Sequence, residues 1–141
     1  MSLQDVDLLR RVFDAYNERD IEAMITLCDP EIELHPAFAG PVSGAVYRGH
    51  EELRTWYRDS IDAWEEIRGE PEVYFDLGDH TLAFWMLRGH GRQSGAEVAT
   101  PSAVVARFRD GLLVYLKAYV DRNEALRDLG VSEDALEPIA P

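Results

Sequence analysis

Apolar residues recur at three- and four-residue spacing from the start of the chain. Val6, Leu9, Val12, Phe13 and Tyr16 form one stripe, which predicts a helix. Ser2 reads as its cap, with Asp5 three residues on as a capping-box partner. Asn17-Glu-Arg-Asp interrupts the stripe, and Asp20 reads as the cap of a second helix that buries Ile21, Met24, Ile25 and Leu27. Proline disfavours helix in the residue before it, so this helix should stop at Asp29-Pro30. Glu31-Ile-Glu-Leu-His35-Pro alternates polar and apolar residues, which predicts a short half-buried strand ended by proline. Residues 36–49, with two prolines and three glycines, read as a loop. It carries Phe38, Val42, Val46 and Tyr47, and such side chains should fold over something rather than stay wet. A third helix is expected from about His50 to Arg68, with Leu53, Trp56, Tyr57, Ser60, Ile61 and Trp64 on one face. Glu51 and Glu52 suit its positive end, and Gly69 its stop.

Between Glu72 and Val120 the period changes to two. Val73–Leu77, Thr81–Arg88, Ala96–Arg109 and Leu112–Val120 read as four strands of an antiparallel meander, with turns at Gly78-Asp79, Gly89–Gly95 and Asp110-Gly111. Asp121 reads as the cap of a short last helix over 123–129, closed by Gly130. Residues 131–141 form an acidic tail expected to be mobile. No repeat or linker interrupts 1–130, which reads as one domain. The order helix, helix, strand, helix, meander predicts an α+β domain with helices on one face of an antiparallel sheet. A sheet bent around such helices makes a cone with a mouth.

Composition narrows the partners. In 141 residues, 14 basic and 27 acidic side chains leave a net charge of −13. That field repels phosphate backbones and anionic lipid heads, so neither nucleic acid nor a membrane is an expected partner. The single cysteine, Cys28, excludes an intrachain disulfide and reads as a small buried thiol. The longest apolar run, Leu82–Leu87, is far short of the ~20 residues that span a bilayer. Acids near the N-terminus stand where a signal peptide needs cations, so a cytoplasmic protein is expected. His35, His50, His80 and His90 lack metal-ligand spacing, and neither a metal nor a cofactor is expected.

Several segments carry a resemblance. They are Tyr16-Asn-Glu-Arg-Asp-Ile-Glu-Ala, Leu27-Cys-Asp-Pro-Glu-Ile-Glu-Leu-His-Pro, Tyr47-Arg-Gly-His-Glu-Glu-Leu, Phe108-Arg-Asp-Gly and Tyr119-Val-Asp-Arg-Asn-Glu-Ala-Leu-Arg-Asp-Leu-Gly. Together they resemble the SnoaL-like branch of the nuclear transport factor 2-like superfamily, which includes ketosteroid isomerase-like proteins. The resemblance implies a cone-shaped fold, a curved antiparallel sheet wrapped around three N-terminal helices. It is weak for function, because this fold hosts unrelated chemistries. Isomerase-like members place a base just before the proline that ends the first strand, here His35. Their tyrosine and oxyanion aspartate fall on Val12 and about Val104, so that machinery is incomplete. Epoxide hydrolase-like members need a carboxylate where Ala118 stands, and their arginine and second aspartate are not evident around Leu87–Gly91. Cyclase-like proton transfer needs only an acid or base in an apolar cavity.

The catalytic candidates are therefore His35 and Asp121. An imidazole on the inner face could abstract a proton alpha to a carbonyl; its structural alternative is a hydrogen-bonded histidine. Plain alternation turns His35 away from Ile32 and Leu34, whereas the resemblance turns it inward. The inward orientation is expected here, with a bulge before Pro36. Asp121 must be weighed against its role as a helix cap. The expected ligand pocket, on the order of a few hundred Å³, is lined by Phe13, Tyr16, Trp56, Tyr57, Trp85, Val104 and Ala118. Tyr115, Lys117 and Tyr119, with Val105 and Arg107, lie on the other face, which is expected to pair two copies as a homodimer. The implied function is a pocket for a small hydrophobic or carbonyl-bearing molecule, with cofactor-free isomerisation or cyclisation as its chemistry. The alternative is a non-catalytic ligand-binding or dimerisation domain.

Overall fold

The computed structural model describes residues 2–37, 45–92 and 95–139. Helices α1 (Ser2–Asn17) and α2 (Ile21–Thr26) form the expected hairpin. The Asp20 carboxylate caps α2 by accepting the Ala23 N–H at 3.1 Å. β1 (Cys28–His35), β2 (Tyr47–Arg48), α3 (Gly49–Ala63), β3 (Trp64–Asp76), β4 (Thr81–Gly91), β5 (Glu97–Arg109) and β6 (Leu112–Tyr119) follow, then α4 (Arg122–Leu129), a short 3-10 turn at Glu133–Ala135 and β7 (Pro138–Ile139). The strands form one sheet in the order β2-β1-β6-β5-β4-β3-β7. The meander is antiparallel as expected, whereas β1 joins β6 in parallel. β1 leaves through β2 and α3 rather than a hairpin turn, and such a long return permits a parallel partner. Asp110 and Gly111 both adopt left-handed φ, 54° and 78°, the pair that the tightest hairpin turn demands. Phe38 and Val42 of the expected loop lie outside the described residues, as does the Ser2 side chain.

Helix α3 stops five residues earlier than its apolar spacing predicts. Trp64 is already extended (φ −119°, ψ 127°), and β3 runs on through Gly69. Gly69 is a mid-strand glycine rather than a helix stop: a Cβ there would lie 1.9 Å from Cε3 of Trp85. Gly89-His-Gly91 likewise continues β4 instead of forming a turn.

Both faces of the sheet are covered, which corrects the expectation of helices on one side. The inner face packs Ile32, Leu34, Ala83, Trp85, Val104 and Leu116 against Val6, Leu9, Val12 and Phe13 of α1 and Leu53 and Trp56 of α3. On the outer face Phe75, Leu82, Phe84, Ala103, Val105 and Tyr119 form a second core with Ala125 and Leu126 of α4. The tail expected to be mobile is placed against this core: Val131 and Leu136 pack on it, and β7 pairs with β3 at Tyr74 and Phe75. The face expected to meet a second copy is thus partly used by the chain's own C-terminal segment. Val105 is buried, the Tyr119 hydroxyl donates to Asp128 at 2.8 Å, and Lys117 reaches the same carboxylate at 3.4 Å. No helix among the described residues is long and apolar enough to cross a membrane.

Candidate functional site

Between α1, α3 and the inner face of the sheet lies a cavity of about 60 Å³. It has room for a few waters and is narrower than the pocket expected from sequence. The sheet supplies Leu34, Ile67, Trp85, Leu87, Val104, Leu116 and Ala118; the helices supply Val12, Phe13, Tyr16, Met24, Trp56 and Ser60. The aromatic residues expected to line the space also fill it. Phe13 stacks on Trp85 with ring centroids 4.7 Å apart, and Tyr16 lies 6.0 Å from Trp56 and 6.1 Å from Trp85.

Trp85 is held by its contact with the neighbouring strand. Its indole lies over Gly69, the one residue type that admits it there. The Asn17 side chain holds that glycine from both sides, its amide donating to the Gly69 carbonyl at 2.8 Å and accepting the Gly69 N–H at 2.9 Å. Residue Asn17 ends α1, so the same helix that presents Phe13 and Tyr16 also grips the strand beneath Trp85. Within this packing the Trp85 indole N–H has no hydrogen-bond partner; among the described residues it is the sole buried side-chain polar atom in that state. The Ser60 hydroxyl, by contrast, is satisfied by the Trp56 carbonyl at 2.9 Å. Burial pushes the Tyr16 phenol well above its ordinary range, with the Tyr57 hydroxyl adding to the effect, so Tyr16 stays protonated. Among the described lining residues there is no carboxylate, imidazole or ammonium group.

His35 does not point into the cavity, which corrects the orientation expected from the resemblance. Alternation holds through the end of β1. Ile32 and Leu34 face the core, and Glu33 and His35 share the outer face. His35 Nε2 lies 2.6 Å from Glu33 Oε2, and its ring sits 5.2 Å from that of Tyr115 on the neighbouring strand. This hydrogen bond holds the Glu33 carboxyl below the usual carboxylate range. The inward position of the strand end belongs to Leu34. Asp121 lies at the N-terminus of α4, where its carboxylate accepts the Asn123 N–H at 2.9 Å. Tyr57 packs edge-on against Trp56, 6.4 Å away, and does not border the cavity. Phe13, Tyr16, Trp56, Trp85, Val104 and Ala118 do. Val12, Val104 and Ala118, the positions that the resemblance marks for functional side chains, all border this one space and are aliphatic. Met24, Leu34, Ser60 and Ile67 were not anticipated as lining, because periodicity identifies a buried face without locating a gap in it. Cys28 is buried and its thiol is pushed up to about 12 by that burial, an inert state. No cluster of three metal-ligating side chains occurs among the described residues.

Residues 9–116 match the family model of the SnoaL-like domain. The chain belongs to the SnoaL-like domain family. No curated protein matches the sequence. Solved structures show the same SnoaL-like fold. An NTF2-like protein of unknown function from Burkholderia pseudomallei superposes with a TM-score of 0.75 at 21% identity, covering 90% of this chain and 97% of that one. A protein with a ketosteroid isomerase-like fold from Catenulispora acidiphila, solved in complex with trimethylamine, gives 0.71 at 19% identity, with 95% and 97% covered. A Jannaschia protein assigned as a SnoaL-like polyketide cyclase gives 0.73 at 16% identity, with 89% and 90% covered. At these identities the likeness establishes the SnoaL-like cone and leaves the chemistry to the residues inside it.

Proposed function

We propose that this SnoaL-like domain binds a small, uncharged, mainly apolar molecule through one hydrogen-bond acceptor, a carbonyl oxygen above all. The observation that supports this reading is the unpartnered indole N–H of Trp85, a residue that borders a mainly apolar cavity. A buried donor left unpaired costs about 1–3 kcal/mol, which an acceptor on the ligand would recover. Tyr16, kept protonated, supplies a second donor nearby. A charged ligand fits poorly, because no countercharge stands among the described lining residues to offset its desolvation. Isomerisation or cyclisation would further need a base within reach of the substrate. His35 and Asp121, the two candidates, face elsewhere and are engaged with Glu33 and with the first turn of α4. Binding without turnover is therefore the favoured reading, with Tyr16 and Trp85 as the candidate donors to the ligand.

The test uses cyclopentanone and cyclopentane, alike in size and different in the acceptor. In an amide-type NMR spectrum of ¹⁵N-labelled protein, cyclopentanone should shift the Trp85 indole N–H resonance and bind about tenfold tighter than cyclopentane. Trp85→Phe should abolish that preference, and His35→Ala should leave it intact. Equal binding with an unmoved Trp85 resonance sinks the proposal.

The reading also retains a homodimer through the outer sheet face, confined to the strip that α4 leaves open: His35, Tyr115, Lys117 and Arg107. Tyr115 is half-buried there beside His35.

A further inference from the structure

Arg122 is the first residue of α4 and lies on the side of the sheet away from the cavity, its guanidinium 4.8 Å over the ring of Phe84. From there it reaches the strand segment that carries Trp85. Nη2 donates to the Trp85 carbonyl at 3.0 Å and to the Glu72 carboxylate, and Nε donates to the Ser102 carbonyl at 3.0 Å. Glu72 belongs to β3, Trp85 to β4 and Ser102 to β5, so one side chain ties three strands. It does so where two prolines interrupt the ladder's donors. Pro71 stands opposite Trp85 in the β3–β4 register, and Pro101 stands opposite Met86 in the β4–β5 register. Neither proline has an N–H to give, and the β3 register slips between Pro71 and Val73. A rigid guanidinium fork can serve several acceptors in fixed directions, which a lysine ammonium cannot.

We propose that Arg122 is a positioning residue for the cavity: by holding the Trp85 main chain from the outer face, it fixes where the Trp85 indole N–H sits on the inner face. The proposal rests on the reading above, in which that N–H is the ligand's donor. It makes the C-terminal helix, which contributes no side chain to the cavity lining, a determinant of what the cavity recognises.

The test begins without ligand. In the indole region of the free protein's ¹⁵N spectrum, Arg122→Met should move the Trp85 resonance while those of Trp56 and Trp64 stay in place. The same variant should lose about tenfold in affinity for cyclopentanone and none for cyclopentane. Arg122→Lys should shift both readouts in the same direction by less. Should Arg122→Met fail to fold, Glu72→Gln removes the carboxylate beside the guanidinium and carries the same test. A Trp85 resonance that stays put, or three indole resonances that move together, overturns the proposal and leaves Arg122 as an anchor of α4. Because the free-protein spectrum needs no ligand, it decides the positioning role separately. If cyclopentanone does not bind at all, only the function proposed above falls.

Discussion

Gly69 and Trp85 define one contact that organises the site. From sequence the glycine reads as a helix stop, because it follows a helical stripe and glycine commonly closes helices. Its actual role depends on Trp85, sixteen positions later, and no local pattern links the two. Adding a methyl group at Gly69 drives it into the indole. Gly69→Ala should therefore cost about 1–3 kcal/mol, read as a lower urea midpoint, and should alter Trp85 fluorescence. An unchanged midpoint would mean that the ring has room to move. His35 carries the opposite lesson. The period-2 pattern of β1 was fully legible and correctly turned His35 outward, and the resemblance misdirected the expectation. The strand ends without the bulge that an inward His35 requires.

At the scale of elements, α4 shows how a short helix is held. Its termini were legible: Asp121 caps the start, and Gly130 closes the end with left-handed φ of 69°. Asp121→Ala should cost about 1 kcal/mol, measured by thermal unfolding, whereas Asp121→Asn should retain most of the cap; equal losses in both would refute that role. The docking of α4 was not legible, because it depends on Asp128 meeting Tyr119 and Lys117 across the sheet face. The Tyr119 hydroxyl, then Lys117, hold the Asp128 carboxyl below its usual range. With the folded value below the unfolded one, this contribution is fully present above the ordinary carboxylate range and is lost as pH falls through the folded value. Between about pH 5 and about pH 3, wild type should lose more melting temperature than Asp128→Asn. Identical pH profiles would show that the contact contributes nothing.

For the whole molecule, the cover on the outer sheet face bears directly on assembly. Tyr119 and Val105 were expected to need a second copy to keep them dry, and the chain's own C-terminal segment buries both. The open strip around Tyr115 and Lys117 is what remains for pairing. Light scattering at micromolar concentration is expected to give a dimer mass, and Tyr115→Glu should lower it to that of one chain. A monomer in wild type would remove the homodimer from the functional reading. The apolar run Leu82–Leu87 is long enough to have both faces buried, the pattern of a strand covered on two sides. Every residue from Thr81 to Trp85 is in fact buried.

The α1 stripe, the Asp20 and Asp121 caps and the Asp110-Gly111 turn came from the sequence, because each is set by neighbours a few positions apart. The α+β class followed from the order of the elements, and the two faces of each strand from the alternation of its residues. The tertiary structure alone decided which apolar side chains fill the interior and which leave a gap. It also set the parallel pairing of β1 with β6, the early end of α3 and the path of the C-terminal segment. Each of these depends on contacts between residues far apart in the chain. The solitary Trp85 N–H is the extreme case, since whether a donor is satisfied depends on every group around it, and periodicity carries no record of that.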